Sequence, residues 1–357
     1  MKKLSVLLLF FLILCQSGYA QTNTEKAMQI GREAIKIMDE GHYDKSIEML
    51  EEAQKLDPDN FIYPYEIAFA YYLKKDYQRA IKLLKKSEKH KNVSDLTYQL
   101  LGNSYDYSNN RKEAIKTYEK GLKKFPFSGK LYLELGVVQM SEDNYNKALD
   151  YFEKGISVEP AFSSNYYWAS KLFCTSSQEE VWGMIYGELF MNLERNSKRT
   201  AEISELLYNT YKSEIKIVSD TAMSVSFSKN NVISFTGELT SLRMPFGIGI
   251  YEPTLLMSII GVKEINMESL NGIRSRFVDN YYQNGYEKRY PNVLFEYQKK
   301  IKEANHIEAY NYWILMKGDE YEFMNWQLAN KDKWESFIEW FSTNPIQITT
   351  NNKFVRN

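Results

Sequence analysis

Histidine, cysteine and grouped carboxylates do most protein chemistry, and in this chain they are few and scattered. There are three histidines, His42, His90 and His306, and two cysteines, Cys15 and Cys174. No two of them are spaced as a zinc site requires, where ligands come in close pairs. His42 and His90 fall at expected inter-helical turns and read as solvated. His306 follows Asn305 at a helix junction and reads as a capping or packing residue. A catalytic serine needs a positioned base, and no Gly-x-Ser-x-Gly elbow occurs. Asp319, Glu320 and Glu322 cluster at a helix start, where carboxylates complement the helix dipole. Gly247-Ile248-Gly249 lacks the Lys-Ser/Thr ending of a phosphate loop and reads as structural. The sequence therefore predicts no catalytic residue, no metal and no cofactor.

Composition narrows the remaining classes. Formal charge is -1, which argues against an extended basic surface and hence against nucleic acid as a partner. Aromatic residues make up 15%, enough apolar surface to order the chain. Lys2 and Lys3 precede an apolar run from Leu4 to Leu14, and Gly18-Tyr19-Ala20 follows. This is the grammar of a secretory signal at residues 1–20, cleaved between Ala20 and Gln21. The run is short for a membrane span, so no membrane association is expected beyond the signal. Cys15 raises a lipoprotein alternative, but Leu14 stands where a lipobox has a small residue. The expected location is the periplasm or the secreted fraction. Without Cys15 the mature chain keeps only Cys174, so its fold rests on packing and not on a disulfide.

The elements that must position any site repeat every 34 residues, in windows beginning at Ala27, Phe61, Asp95 and Gly129. The eighth column reads Ala34, Ala68, Gly102, Gly136; the twentieth reads Ser46, Ala80, Ala114, Ala148. The twenty-seventh reads Ala53, Ser87, Gly121, Gly155. Small residues at these columns allow close helix crossings, within a hairpin and to the next. Leu50, Leu84, Tyr118 and Phe152 fill the space between, and Pro58, Pro126 and Pro160 end the second helices.

In period and column chemistry this resembles the tetratricopeptide repeat (TPR) family. The resemblance implies an α-solenoid of helical hairpins that holds a protein or peptide partner on its inner face. The family's groove columns place Tyr65, Phe69, Tyr72, Asn103, Asp106, Tyr107, Leu133, Val137 and Met140 on that face. Its carboxylate clamp needs several Lys, Arg and Asn residues there. Only Asn103 fits, so chaperone C-termini are not the expected ligand.

Four TPR units are expected over 27–162. A degenerate terminal hairpin follows over 163–196, since Trp182 stands where a small residue belongs. From 197 to 345 the sequence predicts a mainly helical α+β domain, and then a tail at 346–357. A helix is expected from Arg199 to Ile217. Alternation of Met223, Val225 and Phe227 with serines predicts a strand, and a β-hairpin near 217–240 turning at Asn230-Asn231. Residues 241–253 read as a loop; helices follow near 254–260, 267–283, 292–303, 305–316 and 320–342. Trp313, Trp326, Trp334 and Trp340 read as core. From residue 163 onward, the run Tyr166-Tyr167-Trp168-Ala169-Ser170-Lys171-Leu172-Phe173-Cys174 and then Trp182-Gly183-Met184-Ile185-Tyr186-Gly187-Glu188 resembles, more loosely, exported TPR proteins of Gram-negative bacteria whose C-terminal domain has no assigned activity. The leading expectation is an exported scaffold. Its rivals are a carrier of an envelope glycan or other ligand using stacked aromatics, and an enzyme seated in the C-terminal domain. The groove is either open or covered by that domain.

Overall fold

A computed structural model describes residues 22–219, 222–229 and 244–356. The signal segment, with Cys15, Ala20 and Gln21, lies outside the described residues. The chain gathers into two compact units divided between Val138 and Gln139.

The first unit is built of helical hairpins. Helix α1 covers residues 22–39. After it come α2 (Tyr43–Leu56), α3 (Ile62–Leu73), α4 (Tyr77–Ser87), α5 (Asp95–Tyr107) and α6 (Arg111–Lys124). Helix α7 (Gly129–Met140) runs across the division between the units. From α2 to α6 each helix packs on the next, and α3 also touches α5. The small columns act as close-approach points. A Cβ on Gly102 would lie 2.1 Å from the Tyr118 ring, and one on Gly121 would lie 2.7 Å from Tyr98 and 2.8 Å from Leu131. Gly102 thus admits the large side chain of the second helix, and Gly121 lets α6 lie against α7.

The turn inside each hairpin also repeats. Gly41, Lys75, Asn109 and Asp143 hold φ of 87°, 62°, 62° and 58°. Each closes its helix by the same pair of backbone bonds: Lys75 N–H donates to Tyr72 and Asp76 N–H to Tyr71, both at 2.9 Å. Glycine adopts this left-handed region freely, and Asn and Asp tolerate it. Lys75 shows that the turn holds without such a residue.

In the second unit α8 (Tyr145–Val158), α9 (Ser163–Ser176) and α10 (Glu180–Leu193) continue the hairpin pattern. A Cβ on Gly155 would lie 2.3 Å from the Asn165 amide, so α8 packs on α9 through its twenty-seventh column. At the α9–α10 crossing the small residue has moved one place. Gly183 approaches Cys174 Sγ, while the Trp182 ring turns to Phe246 at 5.7 Å and Phe354 at 5.4 Å. Helix α10 is buried from Glu180 to Asn192, as an all-round apolar helix must be; α9, α11 and α14 pack around it.

Beyond it come α11 (Lys198–Glu214), strands β1 (Ile215–Ser219) and β2 (Ala222–Val225), and α12 (Glu252–Ile259). Five further helices follow: α13 (Met267–Gln283), α14 (Val293–Glu303), α15 (Ile307–Leu315), α16 (Glu320–Ala329) and α17 (Lys331–Thr343). The helix expected to reach Ile217 stops at Glu214. Ile215 and Ile217 instead pair antiparallel with Val225 and Met223, because β-branched residues suit a strand better than a helix end. The expected turn at Asn230-Asn231 and the strand through Ile233 and Phe235 lie outside the described residues. The segment read as a loop contains a π-helical turn, Gly247–Tyr251, running into α12. A Cβ on Gly247 would meet Ser228 at 2.5 Å, so its glycine serves packing. The long last helix is two, α16 and α17, meeting at Asn330. The tail returns to the unit: Ile346 and Ile348 are buried, and Phe354 also packs on Phe246 at 5.0 Å.

No helix among the described residues is long and apolar enough to cross a membrane.

Candidate functional site

Helix α3 has aromatic or apolar residues on nearly every face, which leaves rings over after its core side is filled. Tyr63, Ile67 and Ala70 are buried, whereas Tyr65, Phe69 and Tyr72 are only half-buried. Phe69 stacks on Tyr72 with centroids 6.3 Å apart. Tyr72 in turn meets the edges of Tyr77, 5.7 Å away, and Tyr107, 5.8 Å away. Tyr77 and Tyr107 stack at 5.7 Å. Tyr107 is 61% exposed despite these contacts, so the cluster is open to solvent. Tyr65 does not join it. Its ring lies instead by Phe61, at 6.3 Å, so the aromatic residues of α3 form two groups, not one strip. Burial, with Glu66 and Asp95 nearby, pushes the Tyr65 hydroxyl up to about 12.

Beside the tyrosines lies a polar centre. The Asn103 amide sits 2.5 Å from the Tyr118 hydroxyl and reaches Glu134 at 3.3–3.4 Å in either orientation of the amide. Gln99 donates to Glu134 Oε1 at 2.7 Å. Asp106 is held by Arg111 at 3.2 Å. Burial raises the Glu134 carboxyl above its ordinary range; the Gln99 and Asn103 bonds oppose that and nearby Asp106 adds to it. Burial also raises the hydroxyls of Tyr72 and Tyr118, with Glu134 contributing to both. These residues therefore share one electrostatic environment. Leu133 and Val137 are half-buried on α7, and Met140, also half-buried, ends that helix.

The site thus joins Phe69, Tyr72, Asn103, Asp106 and Tyr107 with four residues that the sequence reading did not assign to the groove: Tyr77, Gln99, Tyr118 and Glu134. Glu134 carried a signal, being the one charged residue of α7 after Lys130.

The second unit holds a different polar cluster. Arg274 makes a two-pronged pair with Glu188, at 2.7 and 2.9 Å, and both side chains are 5% exposed. Gln298 and Tyr310 donate to Glu188 at 2.6 and 2.9 Å; Arg274 also reaches Asn311 and Tyr211. A cavity of about 20 Å³ adjoins this network, which is room for one water molecule. His42 is exposed, and the other two histidines are placed by packing. His306 lies on Trp340 at 5.4 Å, and its side chain caps nothing. His90, expected in solvent, is half-buried with its ring 5.1 Å from Phe61. Asp319 caps α16 through Glu322 N–H, and the Glu322 carboxylate accepts from Met267 and Glu268 at the start of α13. Burial raises the Cys174 thiol to about 12, which keeps it protonated at neutral pH.

Comparison with curated protein sequences finds no match. Among solved structures the chain is similar to MamA, with 23% identity, a TM-score of 0.36, and coverage of 48% of this chain and 92% of that one. It is similar to PilF of Pseudomonas aeruginosa, with 16% identity, a TM-score of 0.44, and coverage of 54% and 86%. It is also similar to YrrB, described as a TPR protein with an unusual peptide-binding site, at 14% identity, a TM-score of 0.34, and coverage of 51% and 94%. The tetratricopeptide repeat family matches residues 32–91 and 100–164, the stretches where the hairpins, their left-handed turns and their small columns recur. Residues 32–91 and 100–164 are tetratricopeptide repeats.

Proposed function

We propose that this protein is an exported scaffold whose α3–α5–α7 face receives an extended segment of a partner protein. The observation that carries the reading is the solvent-open cluster of Tyr72, Tyr77 and Tyr107 beside a polar centre. Rings half-covered by one another present apolar area, with hydroxyls at their rims, and tyrosine is frequent among binding hot spots. The buried network in the second unit adjoins space for a single water, so it favours a structural role over an active site.

The test is affinity capture from envelope extracts with the mature chain and with Tyr72→Ala/Tyr107→Ala. Removing hot-spot rings costs about 2 kcal/mol or more, so capture of the specific partner should fall at least about tenfold. Equal capture by a folded double variant overturns the reading.

A further inference from the structure

The aromatic face carries carboxylates that the chain's own cations do not answer. Lys74 pairs with Asp44, Arg111 with Asp106, and Lys130 with Asp95. Among the described residues no lysine or arginine pairs with Glu66 or Glu134, although both carboxyls are largely covered. Glu134 is held by the Gln99 and Asn103 amides, with Asp106 nearby. Glu66 has Asp39 nearby and, like Glu134, is raised by its burial. Each carboxyl thus stands with another acid and without a cation, in surroundings that disfavour its charge. The rings next to Glu134 present faces that attract cations.

Resting on the proposed function, we infer that the segment received on this face is cationic, with an arginine or lysine side chain entering beside Glu134 among Tyr72, Tyr77 and Tyr107. The aliphatic stem of such a side chain packs on the rings. Its charged head meets the carboxylate, and the mismatch of acid without base ends on binding. A partner segment rich in Asp and Glu is excluded by the same charges.

Three labelled peptides test this by fluorescence polarisation on the mature chain. One alternates arginine with leucine, the second replaces each arginine by citrulline, its neutral isostere, and the third replaces it by glutamate. The arginine peptide should bind at least about tenfold tighter than the other two, the range of a close charge pair at an interface. Glu66→Gln/Glu134→Gln should abolish the preference, with circular dichroism showing the fold intact. Asp332→Asn/Glu339→Gln, on exposed α17 positions, should leave it unchanged and so rule out attraction to acidic surface in general. Equal affinity for arginine and citrulline peptides overturns the inference, as does a preference that survives Glu66→Gln/Glu134→Gln. In either case the broader reading stands if Tyr72→Ala/Tyr107→Ala still weakens binding. It falls with the inference if that variant binds all three peptides unchanged, or if none binds the native chain.

Discussion

Replacing Gly102 by alanine adds one methyl group where the structure has no room for it. The new Cβ would lie 2.1 Å from Tyr118 Cε1 and 2.6 Å from two further ring atoms. Carbon atoms rest at about 3.5–4.0 Å, so the ring must retreat by roughly 1.5 Å. Tyr118 is 1% exposed and tethered through its hydroxyl to Asn103, so retreat means overpacking and a strained or lost hydrogen bond. Overpacking costs about 1–3 kcal/mol and the bond about 0.5–1.5 kcal/mol. Alanine returns up to about 1 kcal/mol of helix propensity. The net expectation is a loss of about 1–3 kcal/mol. Urea unfolding followed by far-ultraviolet circular dichroism measures it. All six tryptophans lie after Val138, so their fluorescence reports the second unit and separates its transition from that of the first. Tyr118→Leu in the same background should recover part of the loss, with a coupling of at least about 1 kcal/mol. A Gly102→Ala protein as stable as the native one, or more stable, would refute the contact and the column register that places it.

Two other expectations concern the second unit and the N-terminus. Arg274→Met leaves Glu188 buried without its cation and should destabilise the second unit by about 3–5 kcal/mol in tryptophan-monitored melts. Glu188→Leu with Arg274→Met should cost less than Arg274→Met alone; a larger loss would show that the ion pair is itself a net source of stability. N-terminal mass spectrometry of envelope protein should find Gln21 as the first residue, and an intact Met1 or a lipid-modified Cys15 would rule that out.

The hairpins were legible because close helix crossings force small residues into fixed columns, and a period of 34 exposes them. The turns were less so. Gly41, Asn109 and Asp143 suit a left-handed backbone, but Lys75 holds the same conformation without belonging to a residue type that announces it. Trp182 looked like decay of the repeat; the crossing survives one residue later, at Gly183. The wrong helix end at Ile217 came from extending a periodic pattern through β-branched residues. Tyr77 and Tyr118 were out of reach for a different reason. Groove columns name positions on the first helix of a hairpin, whereas Tyr77 opens a second helix and Tyr118 reaches Asn103 from the core. Ring contacts between hairpins are set by side-chain direction, which spacing alone does not give.

The contrast between two largely buried glutamates is why we propose the aromatic face as the place for a ligand. A covered carboxylate is costly unless a cation and hydrogen bonds compensate it. At Glu188 the chain supplies both: Arg274 in a two-pronged pair, with Gln298 and Tyr310 completing the shell. At Glu134 it supplies amides alone, and Asp106 adds to the burden. The same sequence that answers one buried acid leaves the other short of a positive charge, next to a ring cluster that includes the exposed Tyr107. Stability alone would favour filling that place with leucine, as Leu133 and Leu135 do on either side. A carboxyl kept there at a cost to folding is accounted for if a cation from outside the chain completes it.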